Sequence, residues 1–211
     1  MKNMSKLFSR MNRGWHGVSY ILLLSLLLLS YTSCSEDDGT ADEFVNWQER
    51  NDAVTDQWAA SSMRKIRVYT QDDTSAGQNS DYIYVEVLEV GDGTDSPIFT
   101  DTARVAYRGR MIPTTNNAEG YVFDQTYLGD FSWHTAGMMT SSVDALVRGF
   151  TTALMNMHTG DRWRVHIPYQ IGYNASSQGS LPAYSNLVFD IALLDYWHPG
   201  ETRPAFRARM R

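Results

Sequence analysis

One cysteine, Cys34, stands in 211 residues, so no internal disulfide can hold this chain together. Histidine is also scarce, at five residues. His134, His158 and His166 lack the paired spacing that a zinc site uses. No G-x-S-x-G elbow is present, which argues against a hydrolase of that type. P-loop and dinucleotide glycine patterns are missing too. The run Asp92-Gly93-Thr94-Asp95 falls well short of a twelve-residue calcium loop. Basic charge is in deficit, with a formal net charge of -6, which disfavours nucleic acid as a partner. Internal repeats and low-complexity blocks are absent.

The N-terminus carries Lys2, Lys6, Arg10 and Arg13, followed by a leucine-dominated run at residues 18–30. That run is shorter than the ~20 residues a membrane span needs, and it fits the apolar core of a signal peptide. Cys34 follows Tyr31-Thr32-Ser33 directly after it. The arrangement resembles the lipid-modified cysteine of a bacterial lipoprotein signal, although Tyr31 stands where leucine is usual. Ser35-Glu36-Asp37-Asp38 then reads as an acidic tether and resembles the export signals of Bacteroidetes lipoproteins. Loss of residues 1–33 removes four basic residues and no acidic ones, taking the net charge from -6 to -10. A lipid on Cys34 would bind the protein to a membrane, the outer membrane by this resemblance, without a spanning helix.

Along the mature chain, residues 39–42 continue the tether. Residues 44–63 read as helical, with Phe44, Trp47, Val54 and Trp58 as intermittent apolar positions. They predict one or two helices packed on the main domain or on a partner, with Trp47 and Trp58 exposed. Residues 65–70 suit a strand and residues 71–80 a polar loop. Residues 82–90 are β-rich and end in the turn Gly91-Asp92-Gly93. Residues 102–110 alternate as a second strand, residues 113–120 form a loop, and residues 121–124 and 131–134 are short strand pieces. Leu146, Val147, Phe150 and Leu154 share one face of a helix, and Leu146 and Leu154 are assigned to the core. Trp163, Val165 and Ile167 alternate in a further strand, as do Leu187, Phe189, Ile191 and Leu193 in the last one. Between these two strands lies a loop rich in Tyr, Ile, Leu and Pro. An apolar loop beside a core points to a concave surface kept for a ligand. Strands on both sides of a single helix, without repeated βαβ units, predict an α+β fold with a largely antiparallel sheet.

Six segments in this order carry a resemblance: VEVLEVGDG, VAYRG, YVFDQT, LVRGF, MNMHTGDRWRVHIP and LPAYSNLVFDIALL. Together they resemble the FKBP-type peptidyl-prolyl isomerases over residues 81–196. The resemblance implies an FKBP-like twisted antiparallel sheet wrapped around one helix, here with an N-terminal helical extension. It implies a leader at 1–33, tether and extension at 34–80, the isomerase domain at 81–197 and a basic tail at 198–211. It also places the family's pocket. Tyr107, Phe123, Asp124, Phe189 and Tyr173 fall on its catalytic positions. Phe131, Trp133, Val147, Phe150 and Leu181 fall on its substrate-binding positions, with Phe131 and Trp133 as an aromatic wall. Phe150 stands where the family pattern has tryptophan and Val147 where it has isoleucine. Asn174 stands where it has glycine.

The activity so implied is cis–trans exchange of X-Pro bonds, assisting the folding of exported proteins, with no cofactor and no metal. Proline-containing polypeptides are the implied partners, and macrolides of the FK506 or rapamycin type the implied ligands. The alternative is an FKBP-like module that binds peptide or protein, or acts as a chaperone, without turnover.

Overall fold

The computed structural model describes residues 43–70, 76–203 and 205. The leader, Cys34 and the acidic tether lie outside the described residues, as do residues 71–75, 204 and 206–211.

The elements, in chain order, are α1 (Trp47–Ala60), β1 (Arg64–Arg67), β2 (Tyr82–Glu89), β3 (Thr102–Met111), β4 (Val122–Gln125), β5 (Met139–Ser142), α2 (Arg148–Leu154), β6 (Arg162–Ile167) and β7 (Leu187–Trp197). The strands make one antiparallel sheet in the order β1-β2-β6-β7-β3-β4, with β5 paired to β3. This is the α+β architecture with an antiparallel sheet that the sequence predicts.

Alternation divides the sheet into two faces. On β6, Trp163, Val165 and Ile167 are buried on the inner face. On the same strand Arg162, Arg164 and His166 take the opposite side. The inner face receives α2 at very short range. A Cβ on Gly149 would lie 2.3 Å from Cγ2 of Ile167, so only glycine lets the helix backbone approach the sheet this closely.

The helix differs from its sequence reading at its start. A 3-10 turn at Val143–Ala145 is followed by extended backbone at Leu146 and Val147, and α2 begins only at Arg148. The strand expected at residues 131–134 is instead a turn, closed by Ala136 N–H donating to Ser132 C=O at 2.9 Å. The strand β5, at Met139–Ser142, was not anticipated.

In the N-terminal extension the described residues form α1 followed by β1, and the tryptophans of α1 are not exposed. Trp47 and Trp58 are 6% and 9% exposed. Trp58 sits on the outer face against His166, with ring centroids 5.0 Å apart. Trp47 donates through Nε1 to Ser185 Oγ at 2.8 Å. A fully buried pair of asparagines fixes the helix to the domain. Asn186 N–H donates to Asn51 Oδ1 at 2.7 Å, and Asn186 Nδ2 donates to Asn51 C=O at 2.7 Å and to Thr55 Oγ1 at 3.0 Å. Asn186 Oδ1 in turn accepts from Tyr169 N–H at 2.9 Å. Asn186 and Tyr169 flank the apolar loop, so α1 anchors both ends of the segment between β6 and β7.

Buried polar groups that lose a partner cost the full desolvation of what is left unpaired. Asn51→Ala is therefore expected to destabilise the chain by about 2–4 kcal/mol. At roughly 2–4 °C per kcal/mol for a domain of this size, the thermal midpoint should fall by about 5 °C or more. An unchanged midpoint in a thermal melt would show that α1 is not integral to the fold.

Candidate active site

The pairing of β3 with β7 sets Tyr107 opposite Ile191 and Gly109 opposite Phe189, all directed to the inner face. Gly109 again matters for its missing side chain. A Cβ there would lie 2.5 Å from Phe189 and 2.7 Å from Phe123, so the glycine leaves room for both rings. Phe150, on α2, meets Phe189 edge-to-face at 5.1 Å and Tyr107 at 5.9 Å. Tyr107 and Phe189 are 5.9 Å apart, and Phe123 meets Phe189 at 5.4 Å. These offset arrangements suit the ring quadrupoles.

The rings enclose a cavity of about 180 Å³ lined by Tyr107, Asp124, Met139, Leu146, Val147, Phe150, Tyr173 and Phe189, with Ala145 at its edge. Leu146 and Val147, on the extended backbone before α2, both line it. Of the residues anticipated for the site, Tyr107, Asp124, Val147, Phe150, Tyr173 and Phe189 meet here. Phe123 backs Phe189 from behind. Leu181 is buried in the core, 1% exposed, and does not reach the cavity.

Phe131 and Trp133 are not part of the cavity wall. They pack with Tyr127 around Ala106 and Ala192, on the outer face. Ala106 alternates with Tyr107 along β3, so its neighbours lie across the sheet from the cavity. Trp133 donates to Glu89 Oε2 at 3.0 Å, and the Arg162 guanidinium lies 4.6 Å over the Phe131 ring. Met139, which carries no sequence reading, and Leu146, which reads as a core position, also line the cavity. Their signals were weak: β5 is four residues long, and Leu146 has the periodicity of a core helix position.

Polar chemistry is confined to one edge. Tyr107 Oη donates to Asp124 Oδ2 at 2.6 Å. Burial first, and then this hydrogen bond to a carboxylate, push the phenol well above its ordinary range. Burial, with the nearby charge of Asp124, raises Tyr173 as well. Both phenols are thus neutral O–H groups at any physiological pH. Among the described residues no group of three or more His, Cys, Asp or Glu side chains is placed to hold a metal.

The loop that closes the far side depends on left-handed backbone. Asn174 has φ 55° and Tyr184 φ 60°. Asn174 occupies the position where the family pattern has glycine, and asparagine is the residue that best tolerates that conformation after glycine. Tyr184 N–H donates to Asn174 C=O at 2.9 Å, which ties the two positions together.

Residues 93–194 match the family model for FKBP-type peptidyl-prolyl cis-trans isomerases. The chain carries a domain of the FKBP family. It is 34% identical over 116 residues to a macrophage infectivity potentiator of Trypanosoma cruzi, covering 54% of this chain and 53% of that protein. It is 29% identical over 151 residues to the FKBP-type 22 kDa peptidyl-prolyl cis-trans isomerase of Escherichia coli K12, covering 70% of this chain and 67% of the relative. The chain thus spans about half the length of the first of these relatives. The fold is that of a peptidyl-prolyl cis-trans isomerase structure from Pseudomonas syringae, with TM-score 0.53 and 23% identity over 72% of this chain and 95% of that one.

The raised Tyr107 pKa has a direct consequence. An ordinary phenol begins to ionise about one unit below its value near 10, whereas this FKBP pocket should keep its O–H to higher pH. Ligand affinity is therefore expected to stay flat from about pH 7 to pH 10, as measured by titrating a proline-containing peptide. A fall in affinity that follows ionisation at an ordinary phenol value would show that the Tyr107–Asp124 bond does not form.

Proposed function

We propose that this chain catalyses cis–trans exchange of X-Pro bonds in exported polypeptides, and that a lipid on Cys34 anchors it at the cell envelope. The observation that carries the reading is the aromatic cavity with a single neutral donor–carboxylate pair at its rim, inside an FKBP domain. The barrier to rotation, about 18–20 kcal/mol, arises from amide resonance. It falls when the C–N bond loses double-bond character, and no covalent bond has to break.

A site that favours the twisted amide over both planar forms is a sufficient catalyst. In this reading Phe150, Phe189 and Val147 hold the proline ring and exclude water. Exclusion of water disfavours the charge-separated planar amide. Tyr107 positions Asp124 at the edge where the substrate carbonyl turns, and Tyr173 closes that edge. Phe150 in place of an indole leaves a smaller floor with no N–H donor. Macrolides of the FK506 type would compete for the same cavity.

The reading is tested by magnetisation-exchange or coupled-assay kinetics on a short X-Pro peptide. The full chain should accelerate exchange, and an FK506-type macrolide should abolish the acceleration. Tyr107→Ala and Phe189→Leu should each lower kcat/KM by about tenfold or more, on the order of 1.4 kcal/mol of transition-state stabilisation, while circular dichroism stays unchanged. No acceleration by a folded wild type would leave a binding module without turnover.

The anchor is tested separately. Cys34→Ser should move the protein from the membrane to the soluble fraction of the expressing cell, and the wild-type mature chain should begin at an acylated Cys34 by mass spectrometry. A wild type that is soluble and unmodified would overturn the anchoring.

A further inference from the structure

The outer face carries a cavity larger than the one just described. It measures about 440 Å³ and lies where α1 crosses the sheet. Val54 and Trp58 of α1, Val188 of β7, and Met111 and Ile112 at the end of β3 form apolar walls. Its size falls in the range of about 300–1,000 Å³ typical of small-molecule sites, which combine apolar walls with a few placed polar groups. The isomerase cavity opens on the other face of the same strands, beside Phe189. Nothing in prolyl isomerisation uses this second space.

Two polar groups in it are left over by the fold. His166 is 9% exposed. Its Nε2 lies 2.7 Å from Glu86 Oε1, and its buried Nδ1 has no hydrogen-bond partner. Burial lowers the imidazole pKa below the ordinary value, so the ring is neutral. The nitrogen facing Glu86 then carries the proton, and Nδ1 is a bare acceptor.

Arg110 is the second such group. Its Nη1 stands 3.8 Å from Glu119 Oε2, beyond hydrogen-bond reach, and Glu119 is largely exposed. Neighbouring Arg164 differs, since both carboxylate oxygens of Asp190 accept from it at 2.7 and 3.1 Å. Arg110 therefore keeps a permanently charged fork of donors with spare capacity, three-quarters buried at an apolar wall.

We propose that this cavity binds a small monocarboxylate with an aromatic or branched apolar body. The carboxylate would sit on the Arg110 fork, and the body would pack against Trp58, Val54, Ile112 and Val188. A hydroxyl or amine N–H on the body would satisfy His166 Nδ1. The charge balance selects a monoanion. Arg164 is already taken by Asp190, so among the described lining residues the Arg110 fork is the cation with spare donors, and a second negative charge on the ligand would find Glu86 and Glu119 in place of a partner.

The test uses the full chain, titrated by calorimetry with indole-3-propionate and, in parallel, with its neutral amide. The acid should bind saturably with one site per chain, and the amide about tenfold more weakly. Arg110→Gln should reduce the acid to the affinity of the amide and leave amide binding unchanged. Val54→Trp, which fills the cavity, should abolish both. X-Pro peptide exchange should be the same in both variants, because neither residue touches the inner pocket. Saturable binding that a proline peptide displaces would place the acid in the inner cavity and overturn the proposal. So would equal affinities for acid and amide, binding that survives Val54→Trp in a folded protein, or no saturation at about 10 mM.

Discussion

The ladder between β3 and β7 is the constraint on which the rest of this molecule depends. Its register sets Val105, Tyr107, Gly109 and Met111 against Leu193, Ile191, Phe189 and Leu187. The alternate residues, among them Ala106, Arg108 and Arg110, meet Ala192, Asp190 and Val188. A slip of one residue would exchange the two sets. Phenol and phenyl rings would then face α1, and guanidinium groups would face α2. The single irregularity, between Arg104 and Val105, lies near the start of β3, upstream of Tyr107. The segment that carries both cavities is therefore in unbroken register.

Two glycines turn that register into a site. Gly149 brings α2 down onto Ile167, and Gly109 makes room for Phe123 and Phe189. The floor and the back of the pocket are thus set by side chains that are not there. This is also why the pocket could be read from the chain. Gly109 and Gly149 lie within the short motifs VAYRG and LVRGF, and each motif carries a pocket residue two positions or fewer from its glycine.

Legibility failed where a residue's role depends on the path of a loop. Phe131 and Trp133 have the composition of a pocket wall, but the turn at Ser132 and Ala136 sends them across the sheet to Tyr127. Leu146 has helical spacing with Phe150, yet its backbone is extended and its side chain lines the cavity. Trp47 and Trp58 read as exposed because α1 has an imperfect apolar stripe. The cause is visible in the structure. Much of what holds α1 is polar and buried, through Asn51, Thr55 and Asn186. Hydrophobic periodicity does not register contacts of that kind. Asn51 in mid-helix would ordinarily signal a weak helix. Here its side chain is committed to a partner 135 residues away.

The asparagine pair also bears on how the pocket keeps its shape. The segment between β6 and β7 contributes Tyr173 to the rim and contains two non-glycine residues in left-handed backbone. Non-glycine residues in that region persist only where their surroundings hold them. Asn186 and Ser185 at one end, and Tyr169 at the other, are bound to α1 by hydrogen bonds. The extension preceding the FKBP-matched residues is thus a structural part of the pocket's loop. The same helix roofs the outer cavity through Val54 and Trp58. Under the proposed function, catalysis would rest on shape complementarity to a twisted amide with no reactive group to carry the rate, and such a site depends on an anchor of this kind.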